Sequence, residues 1–401
     1  MKLGELNQRR FWSGLTIVAA ALAILKGLRL PNLWSATQMQ FGYQFGFIKR
    51  GAVGAVLHAA RVPVHHYWVF AAIAFLLLLV TVCTGALFIR RHALTTEAQT
   101  WTPVFVSSFA VTYVAHMVGY LDLILLTMTM LTLASSRKAL RPALDYLVCA
   151  CAVLVHEEFA LTFFPLIWFY WVLEATDSRL TQPRLSAINA VALPVVVCCL
   201  SLIVALWRPM TALQMSTAEH AISVATDFPV RKDFLQVMQR SLADNVHIMA
   251  GKFRTAGWWL DEMGAALALL WVGIFFAWRS NRLIEAARVV HPLLLKSLAA
   301  CASFAPALMQ LIGWDLYRWY ALTALASFGV YLLTVRRLSD APGAESSSGE
   351  RAVAILLVAL NLSTGAGLLD GYTVNTFPFI DPVKALIKST VESGHVPLPA
   401  M

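Results

Sequence analysis

The chain has 401 residues, of which 59% are hydrophobic and only 13% charged, and its mean hydropathy is +0.68. Soluble domains carry about 25% charged residues, so this composition excludes a soluble globular protein and indicates an integral membrane protein. The net charge of +9 does not indicate binding to nucleic acid, because much of the positive charge lies beside apolar segments.

The apolar segments are long enough to cross a bilayer as helices, which takes roughly 20 residues. They lack the alternation that is typical of β-barrel strands. We therefore predict an all-α fold, a polytopic transmembrane helical bundle that forms a single membrane domain over residues 1–401. About eleven spans are predicted, the first being uncleaved. They lie near 11–30, 67–89, 101–118, 120–135, 143–156, 159–174, 187–207, 258–278, 291–312, 317–335 and 352–370.

Basic residues mark one set of connecting loops, which is the pattern of cytoplasmic loops in bacterial inner-membrane proteins. This pattern predicts a cytoplasmic N-terminus and a periplasmic C-terminal tail over 371–401. It also predicts two long periplasmic loops, 31–66 and 208–257. The second loop contains the amphipathic stretch DFLQVMQRSLADNVHIMAGKF, for which we expect an interfacial helix on the membrane surface.

Strongly polar clusters fall at the same predicted end of the spans. Charged residues beside membrane spans are costly and tend to mark a functional site. We therefore expect one polar chamber on the periplasmic face. The clusters are FGYQFGFIKRG at 41–51, GYLD at 119–122, HEE at 156–158, GWDLYRW at 313–319 and LLDGYTVN at 368–375.

The first cluster places Lys49 and Arg50 on the side where basic residues are not expected. Arginine binds phosphate through two parallel hydrogen bonds and lysine binds it as a point charge. The pair therefore predicts a phosphate or pyrophosphate site. The alternative is that both side chains extend to anionic lipid headgroups.

The second cluster places Asp122 at the mouth of the fourth predicted helix. A carboxylate in the first turn of a helix is stabilised by the helix dipole, so a structural role competes with a catalytic one. His116 on the preceding helix is close enough in sequence to reach the same space.

The third cluster interrupts an apolar stretch with His156, Glu157 and Glu158. Adjacent carboxylates on a helix lie about 100 degrees apart, so they cannot enter one pocket in the same way. A half-buried carboxylate acquires a raised pKa that suits a general base. Two alternatives are an exposed loop and a metal site, although HEE lacks the second histidine of a zincin helix.

The fourth cluster sets Asp315 and Arg318 three residues apart, with Trp314 and Tyr317 beside them. An ion pair on one helical face would explain the two charges without a function. The aromatic residues belong either to the interfacial belt of a membrane protein or to a platform for sugar rings. We interpret Arg318 as a ligand-binding residue, most simply for a phosphate.

This arrangement resembles the GT-C superfamily of lipid-dependent glycosyltransferases and the related polysaccharide polymerases of bacterial envelopes. The resemblance rests on Lys49 and Arg50 in the first outer loop, Asp122, HEE and the late DLYRW. It implies a polyprenyl-phosphate-linked sugar donor. GT-C enzymes usually carry a catalytic acid in the first outer loop, whereas 31–66 contains none. That departure favours a polymerase or a divergent transferase.

The resemblance implies a division of roles among the candidate residues. Lys49, Arg50 and Arg318 would bind the lipid phosphate, and Asp315, Tyr317 and Trp314 would line the substrate site. The base that deprotonates the acceptor hydroxyl would be Glu157 or Glu158. Asp122 or Asp315 would orient the acceptor or an arginine.

No cofactor is indicated, and a divalent metal ion is optional in this scheme. The expected partners are the lipid-linked glycan, membrane lipids and other proteins of envelope polysaccharide assembly. One rival function is a transporter or flippase for a lipid-linked or anionic solute, which would need charges along the membrane depth. A second rival is an acyl- or phospho-transferase of envelope glycans with His156 as base.

Overall fold

A computed structural model describes residues 3–135, 141–176, 183–287, 289, 291–338 and 346–363. The polar cluster at 368–375 and the predicted tail 371–401 lie outside the described residues. All the regular secondary structure in the described part of the chain is helical. The α-helices are α1 Leu3–Gly27, α2 Leu33–Gln40, α3 Ala52–Ala59, α4 Tyr67–His92, α5 Thr96–Val106, α6 Phe109–His116, α7 Asp122–Ala134, α8 Arg141–Val155, α9 Phe159–Thr162, α10 Phe164–Thr176, α11 Pro183–Ala205, α12 Ala212–Ala225, α13 Lys232–Gln239, α14 Leu242–Lys252, α15 Ala256–Ala265, α16 Trp271–Ala286, α17 Pro292–Phe304, α18 Leu316–Arg337 and α19 Ser348–Ser363.

Five helical segments of the described chain are long and apolar enough to cross a membrane. Two of them join neighbouring helices, since a π-helical turn links α15 to α16 and a 3₁₀ segment extends α17. This finding supports a multi-pass membrane protein. The five segments are Asn7–Gly27, Tyr67–His92, Leu185–Ala205, Ala256–Ala286 and Pro292–Leu311.

Two predicted spans are broken into shorter helices. The segment predicted over 101–118 ends one helix at Val106 and begins another at Phe109. The Ser107 hydroxyl donates to a main-chain carbonyl three residues earlier, a local bond that competes with continuation of the helix. The segment predicted over 159–174 breaks at Phe163, because Pro165 has no N–H to bond to the preceding turn.

The helix α18 is the core of the bundle. Every residue from Arg318 to Val335 is buried, and α16, α17, α10 and α6 pack around it. A helix enclosed on all sides needs no polar stripe, which explains why its sequence shows no clear solvent-facing side. The helices α4, α5, α9 and α15 also contact this central helix, so charged residues at its two ends lie where several helices meet.

The two long predicted loops fold together into a layer that we call the cap, formed by α2, α12 and α13 and by the connection that contains Phe41 and Ile48. Their apolar side chains share a small core of their own, and Trp34 contacts Phe234 edge to face at a centroid distance of 5.1 Å. The main-chain N–H of Arg231 donates to the Thr37 hydroxyl at 3.0 Å. The cap core comprises Phe41, Ile48, Met210, Met215, Ala218, Ile222, Phe234, Leu235 and Met238.

The cap includes part of the stretch for which an interfacial helix is predicted within 208–257. The amphipathic stretch forms two helices, α13 and α14, that separate at Arg240 and Ser241. The apolar face of α13 presents Phe234, Leu235 and Met238, all of which are buried. That face is covered by the other parts of the cap, because the first long segment supplies a complementary apolar surface.

A candidate active site at the start of the central helix

Four polar clusters that are distant in sequence meet where α18 begins. Arg318 lies in the first turn of α18, and Asp122 is the first residue of α7. HEE forms the connection between α8 and α9, and Arg50 lies just before α3. Each charged side chain is therefore at a helix end, where main-chain groups are left without intrahelical partners. Helix ends gathered in this way create a polar interior at one end of an apolar bundle.

Arg318 binds two carboxylates at once. Its Nε atom donates to Asp122 Oδ1 at 3.0 Å, and its Nη2 atom lies 2.9 Å from Asp122 Oδ2. The same Nη2 atom donates to Glu158 Oε1. The guanidinium also lies over the Trp319 ring, with its Cζ atom 4.6 Å from the centroid. Bonds between ionised partners are the strongest hydrogen bonds available to side chains, so this triad fixes three helices to one another.

The triad contains two carboxyl groups and one guanidinium group, and all three side chains are buried. If both acids ionised, the group would hold an uncompensated negative charge away from water, which is costly. Burial raises the pKa of Glu158; Arg318 opposes this effect and the neighbouring Asp122 reinforces it. Glu158 is therefore the carboxyl of this group with the properties of a proton acceptor near neutral pH.

Arg50 and Glu157 form a second ion pair nearer the surface. Arg50 Nη2 lies 3.1 Å from Glu157 Oε1, and the two side chains are 18% and 17% exposed. Burial opposes ionisation of Glu157, but the charge of Arg50 and the contact with His156 outweigh it and lower the pKa to about 2. Glu157 is thus a carboxylate at any physiological pH and a poor base.

The backbone at Arg50 adopts a left-handed conformation with φ of 61°. Such a conformation costs a non-glycine residue on the order of 1 kcal/mol or more and is concentrated at functional sites. It directs the Arg50 side chain towards Glu157 from a tight turn before α3. The only other described non-glycine residue with positive φ is Arg61, which is exposed.

His156 lies between the two glutamates. Its Nδ1 atom is 3.4 Å from Glu157 Oε2, and its Nε2 atom is 3.3 Å from Glu158 Oε2. The main-chain N–H of Glu158 donates to Nδ1 at 3.3 Å. A nitrogen that accepts this bond carries no proton in the neutral ring, so the proton belongs on Nε2, facing Glu158.

We call these residues the acid–guanidinium cluster. A chain of contacts joins its members. Arg50 and Glu157 lie at its partly exposed edge, and the other members are buried inside. The exposed-loop alternative for HEE is excluded, because His156 and Glu158 are only 2% and 4% exposed. As the sequence predicted, the adjacent glutamates face different partners. The cluster consists of Arg50, Asp122, His156, Glu157, Glu158 and Arg318.

Two predicted site residues have structural partners. The Lys49 ammonium donates to the carbonyl of Ala205 at 2.8 Å, at the C-terminal end of α11, where a cation is favoured by the helix dipole. Burial lowers the pKa of Lys49. Asp315 Oδ1 accepts a hydrogen bond from the Tyr113 hydroxyl at 3.0 Å, which connects the start of α18 to α6.

The two predicted aromatic residues lie on the flank of α18. Trp314 is 40% exposed, and the Arg240 guanidinium and the Lys252 ammonium each lie over its ring, 5.2 Å and 5.4 Å from the centroid. Tyr317 is half-buried and turns its hydroxyl towards Gly264 of α15. Both contacts are cation–π interactions, in which the ring face attracts the positive charges.

One residue beside the cluster was not singled out in the sequence, although it lies within GYLD. The Tyr120 ring lies 6.0 Å from Arg318 Cζ and stacks on Trp34 at 5.4 Å. Its hydroxyl accepts a hydrogen bond from Asn32 Nδ2 at 2.9 Å. Tyr120 thus connects the cap to the cluster, and its position next to Asp122 was the only signal for it.

A second buried polar network, which belongs to none of the polar clusters named from the sequence, lies at the other end of α18. Arg279 donates to Glu97, which is fully buried, and to Glu350 at 2.7 Å. The hydroxyls of Tyr331 and Ser346 donate to the same Glu97 at 3.3 Å and 2.8 Å. Tyr331 follows Arg318 by 13 residues, so the two networks are separated by about 20 Å along the helix.

Among the described residues, no group of three or more histidines, cysteines, aspartates or glutamates could hold a metal ion. In the acid–guanidinium cluster, the charge that a cation would supply comes from Arg50 and Arg318. The optional divalent metal ion of the sequence analysis stays a prediction.

No family model, curated protein or solved structure matches this chain.

Proposed function

We propose that this chain is a bacterial inner-membrane glycosyltransferase or polysaccharide polymerase that uses a polyprenyl-phosphate-linked sugar. The bundle would be GT-C-like, with a cytoplasmic N-terminus, a periplasmic C-terminal tail and the acid–guanidinium cluster on the periplasmic face. The observation that carries the proposal is that Arg50, Glu158 and Arg318, from three distant segments, belong to one contiguous cluster.

The distribution of basic residues supports the proposed orientation. Arg90 and Arg91 end α4, and Arg336 and Arg337 end α18. Basic residues at membrane-helix ends favour the cytoplasmic side. The cluster lies at the opposite end of α18 from Arg336, so it faces the periplasm in this orientation. A lipid-linked donor and an envelope acceptor are both accessible from that side.

The two ion pairs support different roles in the transfer. Arg50 is partly exposed and paired with a glutamate that stays ionised, so a phosphate oxygen can compete for its guanidinium. Arg318 is buried by Asp122 and Glu158, so we assign it to holding the base in place rather than to first contact with the lipid. Lys49 lies beside Arg50 in the chain and adds positive charge at the same edge.

The proposed reaction is a substitution at the anomeric carbon of the donor sugar. An acceptor hydroxyl transfers its proton to Glu158 as its oxygen forms a bond to the anomeric carbon. The bond from that carbon to the phosphate oxygen breaks, and the electron pair leaves with the polyprenyl phosphate. Arg50 stabilises the negative charge that develops on the leaving group. His156 donates its Nε2 proton towards Glu158 and keeps that carboxyl oriented.

Deletion and complementation in the source bacterium test this proposal. We expect the deletion strain to lose or shorten one envelope polysaccharide, and the wild-type gene to restore it. Arg50→Ala should fail to restore it, since removing one charge-stabilising donor costs roughly a hundredfold in rate. Glu158→Gln should also fail, because the amide cannot accept the proton.

Arg61→Ala is the matched control, because Arg61 is in the same segment, has the same left-handed backbone and is exposed. It should restore the polysaccharide fully. Normal polysaccharide with folded Arg50→Ala and Glu158→Gln proteins would refute the assignment. A ladder reduced to single repeat units in the deletion strain would identify a polymerase, whereas loss of one sugar from every unit would identify a transferase.

The second polar network gives a specific reason to keep transport as an alternative. A carrier needs polar groups that are reachable from each side in turn, and polar networks lie at both ends of α18. In the stretch between them, however, the buried side chains are mainly apolar, and Thr323 donates its hydroxyl to its own helix. Accumulation of unmodified lipid-linked sugar on the cytoplasmic side of deletion-strain vesicles would favour the flippase.

A further inference from the structure

An apolar cavity opens between α1 and α4. The helix α1 packs on α5 and α6, whereas α4 packs on α7, so a gap separates the two helices. The gap encloses about 440 Å³, within the ~300–1,000 Å³ range of pockets that hold small molecules. Its floor reaches the central helix at Leu325 and Phe328.

The walls of this cavity suit a hydrocarbon chain. Thr16 and Thr81 donate their hydroxyls to carbonyls of their own helices at 2.8 Å each, which leaves the lining mainly apolar. Gly85 lines the cavity and borders open space, because a Cβ atom at this position would meet no other atom within 4 Å. Polar cavities of this size hold water, whereas apolar ones stay dry or take apolar ligands.

One end of the cavity is positively charged. Arg9 near the start of α1 and Arg90 near the end of α4 both line it, together with Gln99 of α5. Arg9 also borders a neighbouring surface depression with Arg10, and all three arginines are exposed. Guanidinium groups at a membrane-helix end attract anionic lipid headgroups and bind phosphate through paired hydrogen bonds.

We propose that this cavity binds one acyl chain of an anionic glycerophospholipid whose phosphate lies between Arg9 and Arg90. The charge at one end and the apolar gap behind it match the two parts of such a lipid. The site is separate from the acid–guanidinium cluster: Leu325 follows Arg318 by 7 residues, or about 10 Å along α18, and the arginines lie at the far end of the cavity. The inference does not depend on the proposed function.

Native mass spectrometry of the purified full-length protein tests this site, with phosphatidylglycerol and phosphatidylcholine of identical chains as probes. The delipidated wild type should retain phosphatidylglycerol in preference. Arg90→Gln should lower that preference roughly fivefold, the contribution of one basic residue near a membrane surface. Arg91→Gln is the matched control, because Arg91 is adjacent but does not line the cavity. Gly85→Phe fills the gap and should reduce the retention of both lipids.

Four outcomes would overturn the proposal. Equal retention of the two lipids by the wild type would show that the arginines do not select a headgroup. An equal effect of Arg91→Gln would indicate diffuse surface attraction, and full retention by Gly85→Phe would show that no chain enters the gap. Arg9→Gln provides a second test of the phosphate contact if Arg90→Gln does not fold. Competition by polyprenyl phosphate for the same cavity would assign it to the substrate chain instead.

Discussion

Arg318 and Glu158 are 160 residues apart in the chain, yet their side chains form a direct ion pair at the start of the central helix. The pair is buried on both sides, with 9% and 2% of the side chains exposed. Breaking a buried ion pair by removing one partner is much more costly than breaking an exposed one, because the remaining charge stays away from water. The same contact therefore determines both the stability of the bundle and the protonation of the proposed base.

Arg318→Ala should strongly destabilise the protein. The change leaves Asp122 and Glu158 buried without their counter-charge, which costs about 3–5 kcal/mol. We expect a lower melting temperature and aggregation during size-exclusion chromatography in detergent. Adding Asp122→Asn and Glu158→Gln to the same protein should recover much of the loss, since no unpaired charge then remains. A triple variant as unstable as the single one would show that the charge balance is not the cause.

Arg50→Ala should destabilise the protein less than Arg318→Ala does. The Arg50 and Glu157 side chains are 18% and 17% exposed, so solvent screens this pair more than the triad of Arg318, although Glu157 loses the charge that outweighs the effect of its burial. The melting temperature should lie below that of Arg61→Ala and above that of Arg318→Ala. The binding of polyprenyl phosphate, followed by tryptophan fluorescence, should weaken only in Arg50→Ala. Equal binding by the two variants would remove Arg50 from the lipid phosphate site.

The pH dependence of activity should follow Glu158 rather than Glu157. The raised pKa of Glu158 keeps it protonated at mildly acidic pH, so a reaction that needs it as a base should accelerate as the pH rises through that value. The pH–rate profile of the purified enzyme measures this. In Glu157→Gln, the pH at which the rate falls on the acidic side of the profile should stay near that of the wild type. In Glu158→Asp, that pH should change. A profile governed by an ordinary carboxyl pKa would contradict the assignment.

Stability should show opposite trends for the two glutamates. The pKa of Glu158 in the folded protein is raised above its ordinary value of 4.5, so the folded state binds the proton more tightly than the unfolded state does. The free energy of unfolding should therefore fall as the pH rises from 4.5 through the folded-state pKa. The depressed pKa of Glu157 contributes stability above 4.5 that is lost as pH falls towards 2. Melting temperatures measured across pH test this: Glu158→Gln should lose the fall in stability above pH 4.5, and Glu157→Gln should lose the fall in stability below it.

The network at the far end of α18 should be structural. Glu97→Ala removes a fully buried carboxylate and leaves Arg279 poorly compensated, so we expect a loss of about 3–5 kcal/mol. Glu350→Ala is the matched comparison, because its side chain is 32% exposed and its loss should be about 1 kcal/mol or less. Equal melting temperatures for the two variants would argue against a dominant role for burial.

The sequence was sufficient for the class of protein and for the location of the polar clusters. Composition alone indicated membrane helices, and HEE was recognisable because three ionisable residues interrupt an apolar stretch. The partners of each charge were not predictable. Arg318 has Asp315 three residues away, but the structure pairs it with Asp122 and Glu158, since tertiary packing determines which helix ends meet.

Other features had no local signal at all. Glu97 stands in a polar stretch between two predicted spans, where an exposed side chain is the ordinary expectation. Its complete burial depends on Arg279 and Ser346, which are far away in the chain. The amphipathic face of α13 was visible in the sequence, but whether lipid or protein covers it depends on the segment around Phe41, whose position no local pattern reveals.

The central helix is anchored by the ion pairs of Arg318 near its start and by the hydrogen bond from Tyr331 to Glu97 near its other end, which limits how the molecule can move. Sliding α18 along its axis by one turn, about 5.4 Å, would rupture Arg318 from its carboxylates and also pull Tyr331 away from Glu97. The contacts at the two ends therefore oppose movement of α18 along its axis. Any opening of the bundle must then come from the layers around this helix, and one of them is the cap, where Tyr120 stacks on Trp34 and accepts a hydrogen bond from Asn32.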